Sequence, residues 1–200
     1  MTRLPVTPAR IPTHLVTGAT GAGKTTLIAR LAAMRSGAER WAILVNDFGV
    51  ATLGAEENLV LREVAGCICC TGQVGLRTAL IALVREAKPD RVWIEASAAA
   101  EPRTLLSVLR EPGIASALGP ATTIAVVAPH QLADTRYLAN AVYRAQLEAA
   151  DTIVVSGDTE AAPRDARTAL ARIVPGRNVI SSEAAVDRLL NQPPPSRPSP

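Results

Sequence analysis

The hydrophobic positions of this chain fall into short blocks whose spacing changes repeatedly between strand and helix. Residues 14–17, His-Leu-Val-Thr, form a β-rich run, and residues 24–35 carry apolar positions at helical spacing. Trp41-Ala42-Ile43-Leu44-Val45 is a continuous apolar run of strand length, the pattern of a strand buried on both faces. Residues 59–64 form a further candidate strand, placed at an edge. Leu76, Leu80, Leu83 and Val84 give residues 74–87 a helical stripe, which Pro89 stops. The alternation continues with strand 91–94, helix 104–109, strand 123–128, helix 139–150, strand 152–155, helix 164–173, strand 178–180 and helix 184–190. Such alternation predicts an α/β fold, a mainly parallel sheet with helices on both faces. Right-handed crossovers put the loops that follow the strands along one sheet edge. Residues 18–25, 46–49, 95–97 and 156–158 are expected to share it.

The first of these loops carries the chain's clearest chemistry. Gly18-Ala19-Thr20-Gly21-Ala22-Gly23-Lys24-Thr25 fits G-x-x-x-x-G-K-[ST], between a predicted strand and a predicted helix. Glycines let successive backbone N–H groups wrap a phosphate, and the helix N-terminus adds positive potential. Gly18, Gly21, Ala22, Gly23, Lys24, Thr25 and Thr26 are therefore candidate nucleotide-binding residues. Lys24 is expected to reach the β- and γ-phosphates, and the Thr25 hydroxyl to hold Mg²⁺. Glu95 ends an apolar strand at the same edge, where a carboxylate suits the Mg²⁺ shell. Residues 13–191 read as one P-loop nucleotide-binding domain, residues 1–12 as a loose arm and residues 192–200 as a disordered Pro- and Ser-rich tail.

Composition narrows the partners. The net charge is only +3 and no Lys/Arg block occurs, so nucleic-acid binding has no compositional support. Aromatic residues make up 2% of the chain, which leaves the core to Ala, Val, Leu and Ile. No apolar run approaches a membrane span, and the first twelve residues lack the apolar segment of a secretory signal, so a cytoplasmic location is expected.

All three cysteines fall in Gly66-Cys67-Ile68-Cys69-Cys70. In a reducing compartment such a cluster suits metal binding or redox chemistry better than disulfides. Residues i and i+2 of an extended segment point the same way, so Cys67 and Cys69 are able to share Zn²⁺ or a similar ion. Cys70 needs a turn to join them, and three thiolates leave a tetrahedral site one ligand short. A buried trio of small apolar residues is the alternative. His130, after a strand end, is a candidate fourth ligand; a solvated loop histidine is the other reading.

The phosphate-binding loop followed by Gly-Cys-x-Cys-Cys resembles the CobW-type metal-chaperone GTPases, relatives of the urease and hydrogenase nickel-insertion GTPases. The resemblance covers residues 13–160. It includes Val45-Asn46-Asp47-Phe48-Gly49, like the family's switch segment; Ile94-Glu95-Ala96-Ser97, like its Walker B strand; and residues 145–155, like the helix and strand leading into its base-recognition loop. The resemblance implies GTP and Mg²⁺ as ligands, GTP hydrolysis involving Lys24 and Glu95, and delivery of zinc, cobalt or a related ion to a client metalloprotein. It also makes Asp47 a candidate metal ligand or switch residue, with a turn-capping aspartate as the alternative.

The departures bear on activity. The family's Asn-Lys-x-Asp guanine motif is replaced by Ser156-Gly157-Asp158-Thr159. Asp158 is a candidate base-binding residue one position early, and the missing partners leave ATP as an alternative to GTP. Ala98 stands where a glycine N–H is expected near the γ-phosphate, and Gly54 and Ala128 stand where aspartates are expected. The family's second, smaller domain is expected to be absent. A weak GTPase metallochaperone and a non-hydrolysing P-loop protein that senses or buffers metal both fit these residues.

Overall fold

A computed structural model describes residues 10–45, 57–64, 72–157 and 162–191. Seven parallel strands form one sheet: β1 (Ile11–Thr17), β2 (Trp41–Val45), β3 (Leu59–Glu63), β4 (Arg91–Glu95), β5 (Leu118–Val127), β6 (Thr152–Val155) and β7 (Asn178–Ser181). Their order is β3-β2-β4-β1-β5-β6-β7, with every pairing parallel. The mainly parallel α/β sheet expected from the sequence is thus found, with β3 at an edge. Among the described residues the helices are α1 (Lys24–Met34), α2 (Gly72–Ala87), α3 (Pro102–Leu109), α4 (Pro112–Ala115), α5 (Pro129–Ala133), α6 (Thr135–Ala139), α7 (Ala141–Ala149), α8 (Ala162–Ile173) and α9 (Ser182–Leu190).

Alternation within each strand sends side chains to two faces. On one face Val16, Ile43, Trp93, Ile124 and Val154 pack under Leu27, Ile28 and Leu31 of α1 and Val186 and Leu189 of α9. On the other, Leu15, Leu44, Val92 and Ile94 meet α2 and α3 through Leu76, Leu80, Leu83 and Leu105, while Val127, Ile153 and Val155 meet Leu147 and Leu170 of α7 and α8. Burying each such aliphatic side chain contributes about 1.5–3 kcal/mol. No described helix is long and apolar enough to cross a membrane.

Helix ends follow local chemistry. Glu101 accepts from the Thr104 N–H at 2.9 Å and Pro102 opens α3, where its missing N–H costs nothing. Asn140 accepts from the Val142 and Tyr143 N–H groups at 2.9 and 3.1 Å. The helix expected at residues 139–150 is thus found as α7, corrected at its start, where the cap separates it from the short α6 that precedes it. The arm expected at residues 1–12 is also corrected at its end: β1 starts at Ile11, whose N–H donates to the Ala117 carbonyl at 3.0 Å. β5 starts at Leu118, five positions before the expected 123, with the β1–β5 register shifting between Ile11 and Thr13. Pro12 has no N–H to give the ladder, and Gly119-Pro120 reads locally as a turn.

A polar cluster is buried near the start of the central strands. His14 is 1% exposed and stacks on Trp93 with ring centroids 4.2 Å apart. Arg91, equally buried, lies 3.3 Å from His14 Nε2 through Nη1 and donates to the Leu189 carbonyl at 3.0 Å and to Glu39 at 3.1 Å. It therefore ties the end of α9 to the sheet. Because a guanidinium can only donate, His14 Nε2 is the acceptor and the proton sits on Nδ1.

Desolvation, with the charge of Arg91 adding to it, pushes the His14 pKa from 6.5 down to about 3. The unfolded chain therefore binds more protons between about pH 3 and 6.5. Stability is full above that window and is lost as pH falls through it, by at most about 1.4 kcal/mol per pH unit from this residue. His14→Gln, which keeps an acceptor for Arg91, is expected to flatten that slope in urea titrations between pH 7 and pH 4; an unchanged slope would assign it elsewhere.

Candidate nucleotide-binding site

β1 lies between β4 and β5, where the strand order reverses, so its C-terminal end opens a crevice flanked by the loops after those two strands. The predicted phosphate-binding loop occupies that place. Gly18 leaves β1 at φ +142°, and a Cβ built there would lie 2.3 Å from the Val126 carbonyl oxygen. Only glycine fits against β5 at that point. Gly23 at φ +97° forms the N-cap of α1 without a capping side chain, so the first N–H groups of α1 are presented to the crevice. An anion is the natural complement of that end. Ala22 N–H closes the loop onto the Ala19 carbonyl at 3.2 Å.

The candidate side chains converge here. Lys24 is 4% exposed and its Nζ donates to the Ala19 carbonyl at 3.3 Å, curled over the loop it would otherwise share with a phosphate. Thr25 donates its hydroxyl to Glu95 Oε1 at 2.6 Å. Glu95 is 1% exposed at the end of β4, paired in register with Val16. A buried carboxylate and a helix hydroxyl held together beside a phosphate cradle are a donor set suited to Mg²⁺, which takes hard oxygen ligands. Thr26 is exposed at the mouth of the site.

Ser156 closes the β6 side. A Cβ on Gly23 would meet Ser156 Cβ at 3.3 Å, so Ser156 packs close beside the phosphate loop with room for no side chain at Gly23. Its N–H and its hydroxyl both donate to the Val127 carbonyl, at 2.8 and 3.3 Å. Asp47, Cys67, Cys69, Cys70 and Asp158 lie outside the described residues. Among the described residues no group of three His, Cys, Asp or Glu side chains forms a metal site. His130 is exposed at the start of α5, its ring edge-on to Tyr137 at 6.5 Å.

Two buried glutamines were not anticipated from the sequence. Gln131 of α5 accepts from the Ala128 N–H at 3.1 Å and donates to the Thr20 carbonyl at 3.0 Å, which anchors the phosphate loop from the β5 side. Gln146 of α7 donates to the Ala98 and Ala100 carbonyls at 3.1 and 3.3 Å. The available signal for Gln146 was its position in the apolar stripe with Tyr143 and Leu147; a polar residue there demands a partner.

A glycine-lined loop joining β1 to α1, at the carboxyl edge of a parallel sheet and beside a threonine–glutamate pair, defines a P-loop nucleotide-binding protein. The chain belongs to the CobW/HypB/UreG nucleotide-binding domain family, whose model matches residues 12–180. It is 35% identical over 156 residues to the zinc chaperone YeiR of Escherichia coli (strain K12), covering 76% of this chain and 48% of YeiR. It is 34% identical over 128 residues to the zinc chaperone CobW of Sinorhizobium sp, covering 58% of this chain and 36% of that protein. The chain thus spans about half the length, or less, of these curated relatives. Among solved structures, the Zn(II)-bound YjiA GTPase from E. coli superposes with a TM-score of 0.64 at 20% identity, over 86% of this chain and 57% of YjiA. The hydrogenase maturation factor HypB from Archaeoglobus fulgidus gives 0.59 at 16% identity, over 90% of this chain and 88% of HypB. These two likenesses are of fold.

Gly18→Ala is expected to destabilise the fold by about 3 kcal/mol, because the methyl meets backbone rather than a movable side chain. For a chain of this size that lowers Tm by roughly 10 °C. A thermal melt within about 2 °C of the parent, well under that fall, would contradict the close approach to Val126.

Proposed function

We propose that this chain binds GTP with Mg²⁺ and couples its nucleotide state to the handling of Zn²⁺ or a similar transition metal for a client metalloprotein. The observation that carries the nucleotide half is the phosphate cradle beside the Thr25–Glu95 pair. The metal half rests on Cys67, Cys69 and Cys70 and on the relatives named zinc chaperones.

In this reading Lys24 exchanges the Ala19 carbonyl for oxygens of the terminal phosphates. The N–H groups of residues 21–25 neutralise the same charge from the other side. Mg²⁺ would screen the triphosphate and favour attack at the γ-phosphorus. Thr25 would hold it, with Glu95 ordering its water shell. The buried Glu95 carboxylate also fixes the Thr25 hydroxyl, so the first turn of α1 and the end of β4 respond together to a bound nucleotide. The γ-phosphate is expected to reorganise residues 46–49, including Asp47, and residues 67–70, which come after β2 and β3 in the sequence. Zinc is then the cargo, held by thiolates that must lose protons to bind it.

A second reading, a protein that senses or buffers metal without hydrolysis, is favoured by Ala98 and by Ser156-Gly157 in place of the Asn-Lys pair. Ser156 spends its hydroxyl on Val127, so base selection falls to Asp158 with little help.

Three measurements on the purified protein test the proposal. Lys24→Ala is expected to abolish tight GTP binding by calorimetry with an unchanged circular dichroism spectrum. Competition is expected to show GTP favoured over ATP by less than roughly a thousandfold, about 4 kcal/mol. Hydrolysis assayed with and without Zn²⁺ then decides between the readings: steady turnover that responds to zinc supports the chaperone, and tight binding without turnover supports the sensor. GTP affinity equal in the Lys24→Ala variant and the parent would contradict the site.

A further inference from the structure

The phosphate loop contains one peptide whose direction its own backbone does not fix. The Ala22 N–H donates to the Ala19 carbonyl at 3.2 Å, which closes a β-turn with Thr20 and Gly21 as its central residues. That bond holds the two ends of the turn. The central peptide, Thr20 C=O with Gly21 N–H, still has two orientations about half a revolution apart, those of type I and type II turns. Gly21 stands at φ +73° and Thr20 is not in the left-handed region, so the turn is of type II. Glycine takes positive and negative φ almost equally well, so the residue at this position permits both orientations.

A side chain from outside the loop selects between them. Gln131 of α5 is 0% exposed, and its Nε2 donates to the Thr20 carbonyl at 3.0 Å. Its Oε1 accepts from the Ala128 N–H at 3.1 Å. An N–H at one end and a carbonyl at the other admit a single orientation of the amide. The Gln131 N–H returns to the Ala128 carbonyl at 2.9 Å, so the root of the side chain is fixed as well. The Thr20–Gly21 peptide is trans, so its carbonyl and its N–H point in opposite directions. With the carbonyl drawn toward α5, the Gly21 N–H faces away from α5, and it donates to no described residue. A type I turn would put a carbonyl oxygen where this N–H stands, a repulsive neighbour for a phosphate.

We propose that Gln131 is a positioning residue that holds the 19–22 turn as type II and so presents the Gly21 N–H to the phosphates of a bound nucleotide. This rests on the nucleotide-binding reading above. It adds a demand on the loop that the G-x-x-x-x-G-K-[ST] pattern does not contain: an amide supplied from the helix after β5.

The test compares the parent with Gln131→Met, which keeps the bulk of the side chain and removes both of its hydrogen bonds. GDP and a slowly hydrolysed GTP analogue, each with Mg²⁺, are titrated by calorimetry. The amide protons of Gly21, Gly23 and Lys24 are followed by NMR in ¹⁵N-labelled protein. In the parent the Gly21 proton is expected to move downfield on binding either nucleotide, as it gains a charged acceptor. The variant is expected to bind both nucleotides about tenfold weaker, a factor that fits one hydrogen bond to a charged group. Its Gly21 proton is expected to stay near the free position at saturation, while those of Gly23 and Lys24 shift as in the parent. Affinities equal to the parent's overturn the proposal. Weaker binding with the Gly21 proton still moving as in the parent also overturns it, because that is what a glutamine needed only for packing would give. Should Gln131→Met fail to fold, Gln131→Asn is read in the same two ways, since it is one methylene too short to span the Ala128 N–H and the Thr20 carbonyl together. A parent that binds nucleotide with no downfield Gly21 proton overturns the proposal alone. A parent that binds neither nucleotide overturns the underlying reading, and the proposal with it.

Discussion

At the end of β1 the chain has to turn in a space that admits no side chain, because the Val126 carbonyl of β5 occupies the place of a Cβ on Gly18. That close approach follows from β1 being the central strand, paired with β4 on one side and β5 on the other. The tight turn then fixes where α1 begins, and α1 begins with bare N–H groups because Gly23 in the left-handed region caps it without a side chain. The same pairing brings Glu95 level with Val16 and within reach of Thr25. The bare helix start and the Thr25–Glu95 pair are thus two consequences of one packing constraint.

The rest of the structure supports this edge from a distance. α1 and α9 close one face over Trp93 and Ile43, and Arg91 fastens α9 to the opposite end of the strands while His14 stays neutral beside it. On the other face, α5 and α7 each project one glutamine toward a loop of the site, Gln131 to Thr20 and Gln146 to Ala98 and Ala100. Buried amides make geometric demands that apolar residues do not, since each unmet hydrogen bond costs about 1–3 kcal/mol. Loop positions at the nucleotide edge are therefore specified by the helices behind them.

What was legible in the sequence was what is local. Strand, glycine spacing, lysine, threonine and helix of the phosphate loop are contiguous, so residues 14–35 could be read directly. The strands buried on both faces, such as Trp41–Val45, announced themselves as unbroken apolar runs. Glu95 was legible as a charge ending such a run. The glutamine anchors were not, because Gln131 reaches Thr20 across 111 positions and Gln146 reaches Ala98 across 48. Short helices α4, α5 and α6 were missed because each is too short to show a period. The early start of β5 was hidden by Gly119-Pro120, whose turn propensity is overridden by pairing with β1.

The central claim is that nucleotide state and metal affinity are one coupled equilibrium in this chain. It is tested most directly by titrating Zn²⁺ against a chromophoric chelator with no nucleotide, with GDP–Mg²⁺ and with a slowly hydrolysed GTP analogue and Mg²⁺. Coupling predicts about one zinc per chain and an affinity that differs between GDP and the analogue by about fivefold or more, with zinc shifting nucleotide affinity by the same factor. Three superimposable zinc curves would contradict it.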